Sequence, residues 1–146
     1  QPYRVAGRRS PAPANQLDEA WLAVVRELAG ERDRTLPLLV GGRSSGARVA
    51  CRTAAELGAA GVLCLAFPLH PPGRPERSRA AELPAALPTL VVNGDRDPFG
   101  VPEPADHIEV AVRPGATHDL RRDLAGTAAV VLDWLRRHGW ADPPPV

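Results

Sequence analysis

Residues 38–48 read Leu-Leu-Val-Gly-Gly-Arg-Ser-Ser-Gly-Ala-Arg, and no other stretch constrains the fold as tightly. The apolar run at 36–40 suits a buried strand and is too short for a helix. Glycines and serines follow at 41–46 as a turn. Residues 47–57 then carry small side chains in a helical pattern closed by Gly58. Gly42 and Gly46 lie two before and two after Ser44, the spacing that lets a strand and the helix after it approach through a tight turn. Ser45 has no such pair.

The rest of the chain repeats this alternation. Three more apolar runs, at 61–67, 89–92 and 107–112, are expected strands. Leu17, Trp21, Val24 and Leu28 recur at helical spacing across 14–29, with Asp18 and Glu19 near the start and Gly30 as the stop. Leu124, Ala128, Val131 and Leu135 mark a last helix that ends near Gly139, and 76–83 is expected to hold a short one. Residues 1–13, 68–75 and 95–104 read as loops. Strands interleaved with helices imply a mostly parallel sheet with helices on both faces. Chemistry in such sheets collects in the loops at the carboxyl ends of the strands.

A length of 146 residues fits one domain, read here as 1–140 with a Pro-rich tail at 141–146. Net charge is +1, and the basic side chains, all Arg, form no stripe. Nothing in the charge pattern therefore points to a nucleic acid or a membrane surface. No apolar run approaches the ~20 residues of a membrane span, and no signal peptide is visible, so a cytoplasmic location is expected. Cys51 and Cys64 lack metal-ligand spacing. They are expected to be small buried apolar side chains in a reducing compartment. The sequence holds no Met, so Gln1 is expected not to be an intact translation start.

A serine between a strand and a helix in this spacing is a candidate nucleophile, and the Ser45 N–H at the helix start would donate to an oxyanion. Two plainer readings compete: Ser44 as a helix N-cap, and a phosphate loop beginning at Gly41. The second lacks the Lys and Ser/Thr it needs, since Ala47 and Arg48 stand there. A nucleophilic hydroxyl needs a base, and the base needs an orienting acid. In this topology the order is Ser, then Asp or Glu, then His. Asp97 sits deep in the loop after the third strand and is backed by Pro98. Asp95 follows Asn93-Gly94 and suits a turn. His118 lies in the loop after the fourth strand. His70 suits a pocket rim, His107 a strand start, and His138 a helix end where its charge complements the dipole.

The stretches Gly-Gly-Arg-Ser-Ser-Gly-Ala-Arg (41–48), Phe-Pro-Leu-His-Pro-Pro-Gly (67–73), Asn-Gly-Asp-Arg-Asp-Pro-Phe-Gly (93–100) and Ala-Thr-His-Asp-Leu (116–120) occur in order. Together they resemble small bacterial α/β-hydrolase-family proteins close to dienelactone hydrolases, and the hydrolase-like domain of the nonspecific-lethal histone acetyltransferase complex. Pro2-Tyr3-Arg4 and Gly7-Arg8-Arg9 resemble that family's loop after its fourth strand. The resemblance implies Ser44 as nucleophile, Asp97 as acid and His118 as base. It also implies about four strands and a helix upstream of this chain's start, including the loop that gives the second oxyanion N–H.

The expected function is a serine hydrolase cleaving an ester, thioester or related acyl bond of a small molecule, with no cofactor and no metal. The alternative is a non-catalytic interaction module that keeps the fold; a nucleotide-binding module is a third reading. Without the upstream strand the edge at 36–40 is expected to be unpaired and to invite self-association.

Overall fold

The computed structural model describes residues 13–29 and 35–142. The expected loop at 1–13, the Gly30 stop and the end of the 141–146 tail fall almost wholly outside these residues. The described elements run α1 (Ala14–Ala29), β1 (Leu39–Arg43), α2 (Ser45–Thr53), β2 (Gly61–Leu65), β3 (Thr89–Gly94), β4 (Ile108–Arg113) and α3 (Leu124–Arg137), with 3₁₀ turns at Ala80–Glu82 and Arg121–Asp123.

The four strands form one parallel sheet in the order β1-β2-β3-β4. Its two faces bury separate apolar layers. Val40, Val62, Cys64 and Val91 pack with Ala47, Ala50 and Cys51 of α2 and with Ala54 just after it on one side. Leu90, Val92, Ala66, Ala116 and Leu120 pack with Trp134 of α3 on the other. Helices thus cover both faces, as the interleaved pattern predicts. The alternation of side chains along a strand sends Val62 and Cys64 to one layer and Leu63 and Leu65 to the other.

Several boundaries differ from those read in the sequence. The first strand, expected at 36–40, is Leu39–Arg43. Glycines disfavour strands, yet Gly41 is paired with Leu63 and Gly42 with Cys64. A Cβ at Gly41 would press on the Leu63 carbonyl oxygen at 2.7 Å, so the pairing favours a residue with no side chain there. The turn expected over 41–46 shrinks to Ser44 alone, and α2 starts at Ser45 rather than 47. The second strand, expected to reach 67, stops at Leu65, where Ala66 turns the chain with φ 51°. The third strand runs on through Asn93 and Gly94, and the fourth is displaced by one residue from 107–112. The segment 76–83 holds only a 3₁₀ turn.

A network of ion pairs joins the nucleophile-side helix to the first helix and to the 3₁₀ turn. The Arg52 guanidinium bridges Asp18 of α1 at 2.7 and 2.8 Å, and Glu82 of the 3₁₀ turn at 2.8 Å. Arg48 adds a two-pronged bond to Glu82 at 2.5 and 2.7 Å. Burial pushes the Glu82 carboxyl up, but the hydrogen bonds and charges of Arg48 and Arg52 prevail and hold it below its ordinary value. The α1 stripe read from the sequence is only partly covered. Leu17 and Trp21 are half-buried and Val24 is 54 % exposed, whereas Val25 lies in the core. Leu17, Trp21 and Val24 instead line an apolar groove of about 560 Å³ beside Gly41, Gly42 and Val49. Cys51 and Cys64 are buried free thiols with their sulfurs 3.3 Å apart. Among the described residues no helix is long and apolar enough to cross a membrane.

Candidate active site

Ser44 stands between the last residue of β1 and the first of α2 with φ 55° and ψ −119°. These angles match the first central position of a type II′ turn, which favours glycine. A serine held there costs on the order of 1–3 kcal/mol, and such strain persists where the surroundings fix it. Two contacts fix it here. The Ser44 N–H donates to the Leu65 carbonyl at 2.9 Å, and the Ser44 carbonyl accepts from Ala47 N–H at 3.0 Å. The close approach that permits the turn is one-sided. A Cβ at Gly42 would lie 2.6 Å from the Gly46 carbonyl oxygen, while no described atom lies within 4 Å of a Cβ at Gly46. Close approach therefore demands a small residue at Gly42, and the expected second demand at Gly46 is not found.

The Ser44 hydroxyl does not cap α2. It lies 2.8 Å from His118 Nε2. His118 Nδ1 in turn lies 2.8 Å from Asp97 Oδ2. A carboxylate can only accept, so Nδ1 carries the proton and Nε2 is free to accept from the serine O–H. The Asp97 side chain is fully shielded and the His118 side chain one-fifth exposed, which leaves the imidazole reachable and its partner dry. As the first residue of α2, Ser45 presents an N–H with no preceding helical turn to accept it, next to the positive end of the helix dipole.

The loops that bring Asp97 and His118 together are stitched to each other. Gly94 passes so close to the Ala116 carbonyl that a side chain there would collide with it. Arg96 N–H donates to that carbonyl at 3.0 Å. Asp95 Oδ1 accepts from Gly115 N–H at 2.7 Å, so Asp95 organises the turn before His118 rather than touching the imidazole. Asp119 holds the next turn through the Arg121 N–H and the Thr117 hydroxyl. Those bonds, with the Arg121 and Arg43 charges, keep its carboxyl below its ordinary value against slight burial. Arg43 donates to the His118 carbonyl at 3.1 Å and so links the end of β1 to the histidine loop.

Two residues stand out here that the sequence reading did not single out. Asn93, wholly buried at the end of β3, accepts from Phe67 N–H at 2.8 Å. Its amide donates to the carbonyls of Phe67 and Gly100 at 2.9 Å each. It fastens the Asp97 loop to the loop after β2. A polar amide closing an apolar strand is the signal that marks it. Phe99 donates its N–H to Asp97 Oδ1 at 2.9 Å and lays its ring against that of His118, centroids 4.4 Å apart. Of the other histidines, His70 lies against Gly100 and donates its N–H to the Phe99 carbonyl, and His138 packs against Trp134 and Trp140.

Comparison with known proteins agrees with this architecture. The sequence profile of a family described as alpha/beta hydrolase domain matches residues 1–126. An α/β serine hydrolase without a lid from Xanthomonas campestris superposes with TM-score 0.70 at 24% identity, over 94% of this chain and 63% of its own. An α/β serine hydrolase homologue from Coxiella burnetii superposes with TM-score 0.65 at 22% identity, over 89% of this chain and 62% of its own. The chain thus spans less than two thirds of either structure. No curated protein matches it.

Proposed function

Because the chain belongs to the alpha/beta hydrolase domain family, we propose that it is a serine hydrolase cleaving an ester, thioester or related acyl bond. In this reading Ser44 is the nucleophile, His118 the base and Asp97 the acid that orients it. The supporting observation is the unbroken line Ser44 Oγ, His118 Nε2, His118 Nδ1, Asp97 Oδ2, with both links at 2.8 Å.

Ser44 Oγ attacks the acyl carbon while its proton passes to His118 Nε2. The buried Asp97 carboxylate stabilises the imidazolium and holds the ring in the productive tautomer. The Ser45 N–H faces the oxyanion as it forms. Collapse of the tetrahedral species breaks the bond to the leaving alcohol or thiol, which takes the proton from Nε2. Water, deprotonated by the same nitrogen, then releases the acid from Ser44. The strained backbone at Ser44 supports the reading further, because a helix cap needs no such conformation and this hydroxyl caps nothing.

The motifs at 67–73 and 93–100 extend the proposal to kinship with small bacterial dienelactone-hydrolase-like enzymes and with the hydrolase-like domain of the nonspecific-lethal complex. A small acyl substrate and a cytoplasmic location belong to it. Hydrolysis of short p-nitrophenyl acyl esters and thioesters tests it. Turnover by the wild type that His118→Ala reduces by roughly 10⁴-fold or more is the expected result. Turnover that His118→Ala leaves intact would sink the proposal in favour of a non-catalytic module with adventitious reactivity.

A further inference from the structure

Phe99 is tied to both partners of the proposed proton relay at once. Its main-chain N–H occupies Asp97 Oδ1, the carboxylate oxygen that His118 does not use. Its ring lies against the imidazole with centroids 4.4 Å apart and planes inclined at 37°. The backbone on either side of the ring is pinned. Gly100 N–H donates to the Asp97 carbonyl at 3.0 Å, and His70 N–H donates to the Phe99 carbonyl at 3.0 Å. Buried Asn93 holds the Gly100 carbonyl at 2.9 Å. The ring is therefore presented to His118 by a fixed loop rather than resting there by chance.

The negative face of an aromatic ring attracts a cation set against it, and more strongly where water is excluded. The imidazole becomes a cation when it takes the serine proton. We infer that Phe99 is a positioning residue for His118: its ring holds the imidazole between Ser44 and Asp97 and favours the imidazolium over the neutral form. This rests on the hydrolase reading for its catalytic consequence, but not for the ring contact itself. The charged groups around His118 are Asp97 at Nδ1, Arg43 at its carbonyl, and Asp119 and Arg121 in its own loop. All of them persist when Phe99 is replaced.

The test compares Phe99→Leu, Phe99→Met and Phe99→Tyr in the full chain. The His118 ring is titrated by NMR, and the pH dependence of fluorophosphonate labelling is followed in parallel. Leu and Met keep an apolar side chain of similar bulk and lose the ring, whereas Tyr keeps the ring. Phe99→Leu and Phe99→Met should each lower the His118 titration midpoint by roughly 0.5 to 1 pH unit and slow labelling about 5- to 10-fold. Phe99→Tyr should restore the midpoint. An unchanged midpoint in both ring-less variants, or a shift in Phe99→Tyr as large as theirs, would overturn the inference. If Phe99→Leu does not fold, Phe99→Met decides. If the wild type does not label, the hydrolase reading fails, and the NMR titration still decides what Phe99 does to the imidazole.

Discussion

Ser44 Oγ and His118 Nε2 lie 2.8 Å apart across 74 residues of sequence. Nothing local brings them together. The meeting depends on the parallel order β1-β2-β3-β4, which sets the carboxyl ends of β1 and β4 on one edge of the sheet, and on the stitching of the Asp97 loop to the His118 loop.

That stitching separates two aspartates. Asp97 bonds the imidazole and Asp95 bonds the Gly115 N–H. Asp97→Asn should lower ester turnover by on the order of 10⁴-fold with little change in circular dichroism, because the amide imposes the wrong tautomer. Asp95→Asn should stay within about tenfold of the wild type, since it touches the relay only through a turn. The reverse ranking in a steady-state assay would move the acid role to Asp95.

The one-sided crowding at the turn predicts an asymmetry between its glycines. Gly42→Ala forces a methyl against the Gly46 main chain, which cannot move without shifting α2. It should destabilise the fold by about 1–3 kcal/mol in denaturant titration and disable Ser44. Gly46→Ala has open space and a helical position, so its stability should lie within about 1 kcal/mol of the wild type or above it. Equal losses in the two variants would contradict this geometry.

Glu82 links the Arg48 and Arg52 guanidinia, and its carboxyl is held below its ordinary value. A carboxyl lowered on folding adds stability above its unfolded value and loses that contribution as pH falls through its folded value. The wild type should therefore melt at a higher temperature than Glu82→Gln at about pH 7, and the gap should close in acid, below about pH 4. Melting curves of both proteins across that window check it. A gap that widens in acid would contradict the assignment.

Much of the fold was legible because buried parallel strands read as short apolar runs and the chain order Ser44, Asp97, His118 is one-dimensional. The true extent of β1 was not. Gly41 and Gly42 look like turn formers, and only pairing with β2 shows that they are strand residues selected for close approach. Of the α1 stripe, Leu17, Trp21 and Val24 line one groove while Leu28 is exposed, because periodicity marks a helix but cannot say what covers each of its residues. Phe99 gave no signal because a ring directly before a loop glycine looks like any loop residue until the fold sets it against His118; Asn93 gave none because a turn-forming residue and a buried amide are spelled the same way.

The partly covered α1 stripe bears on association. Among the described residues β1 is an edge strand, and the apolar groove beside it is lined by Leu17, Trp21 and Val24. We propose a second copy of this chain as the occupant of that groove, because an open strand edge beside apolar side chains favours strand pairing. Light scattering should show a mass that rises with concentration, and Val24→Glu should return it toward the monomer. A wild type that stays monomeric at every concentration would exclude the pairing.

Treating the protein with a fluorophosphonate and locating the adduct by peptide mass spectrometry tests Ser44 as the nucleophile outright. A single phosphonylated serine, Ser44, is expected. The adduct should disappear in Ser44→Ala and fall sharply in His118→Ala. It should persist in Ser45→Ala, because Ser45 contributes only its main-chain N–H. An adduct on Ser45, or labelling of Ser44 at the same rate without His118, would contradict it.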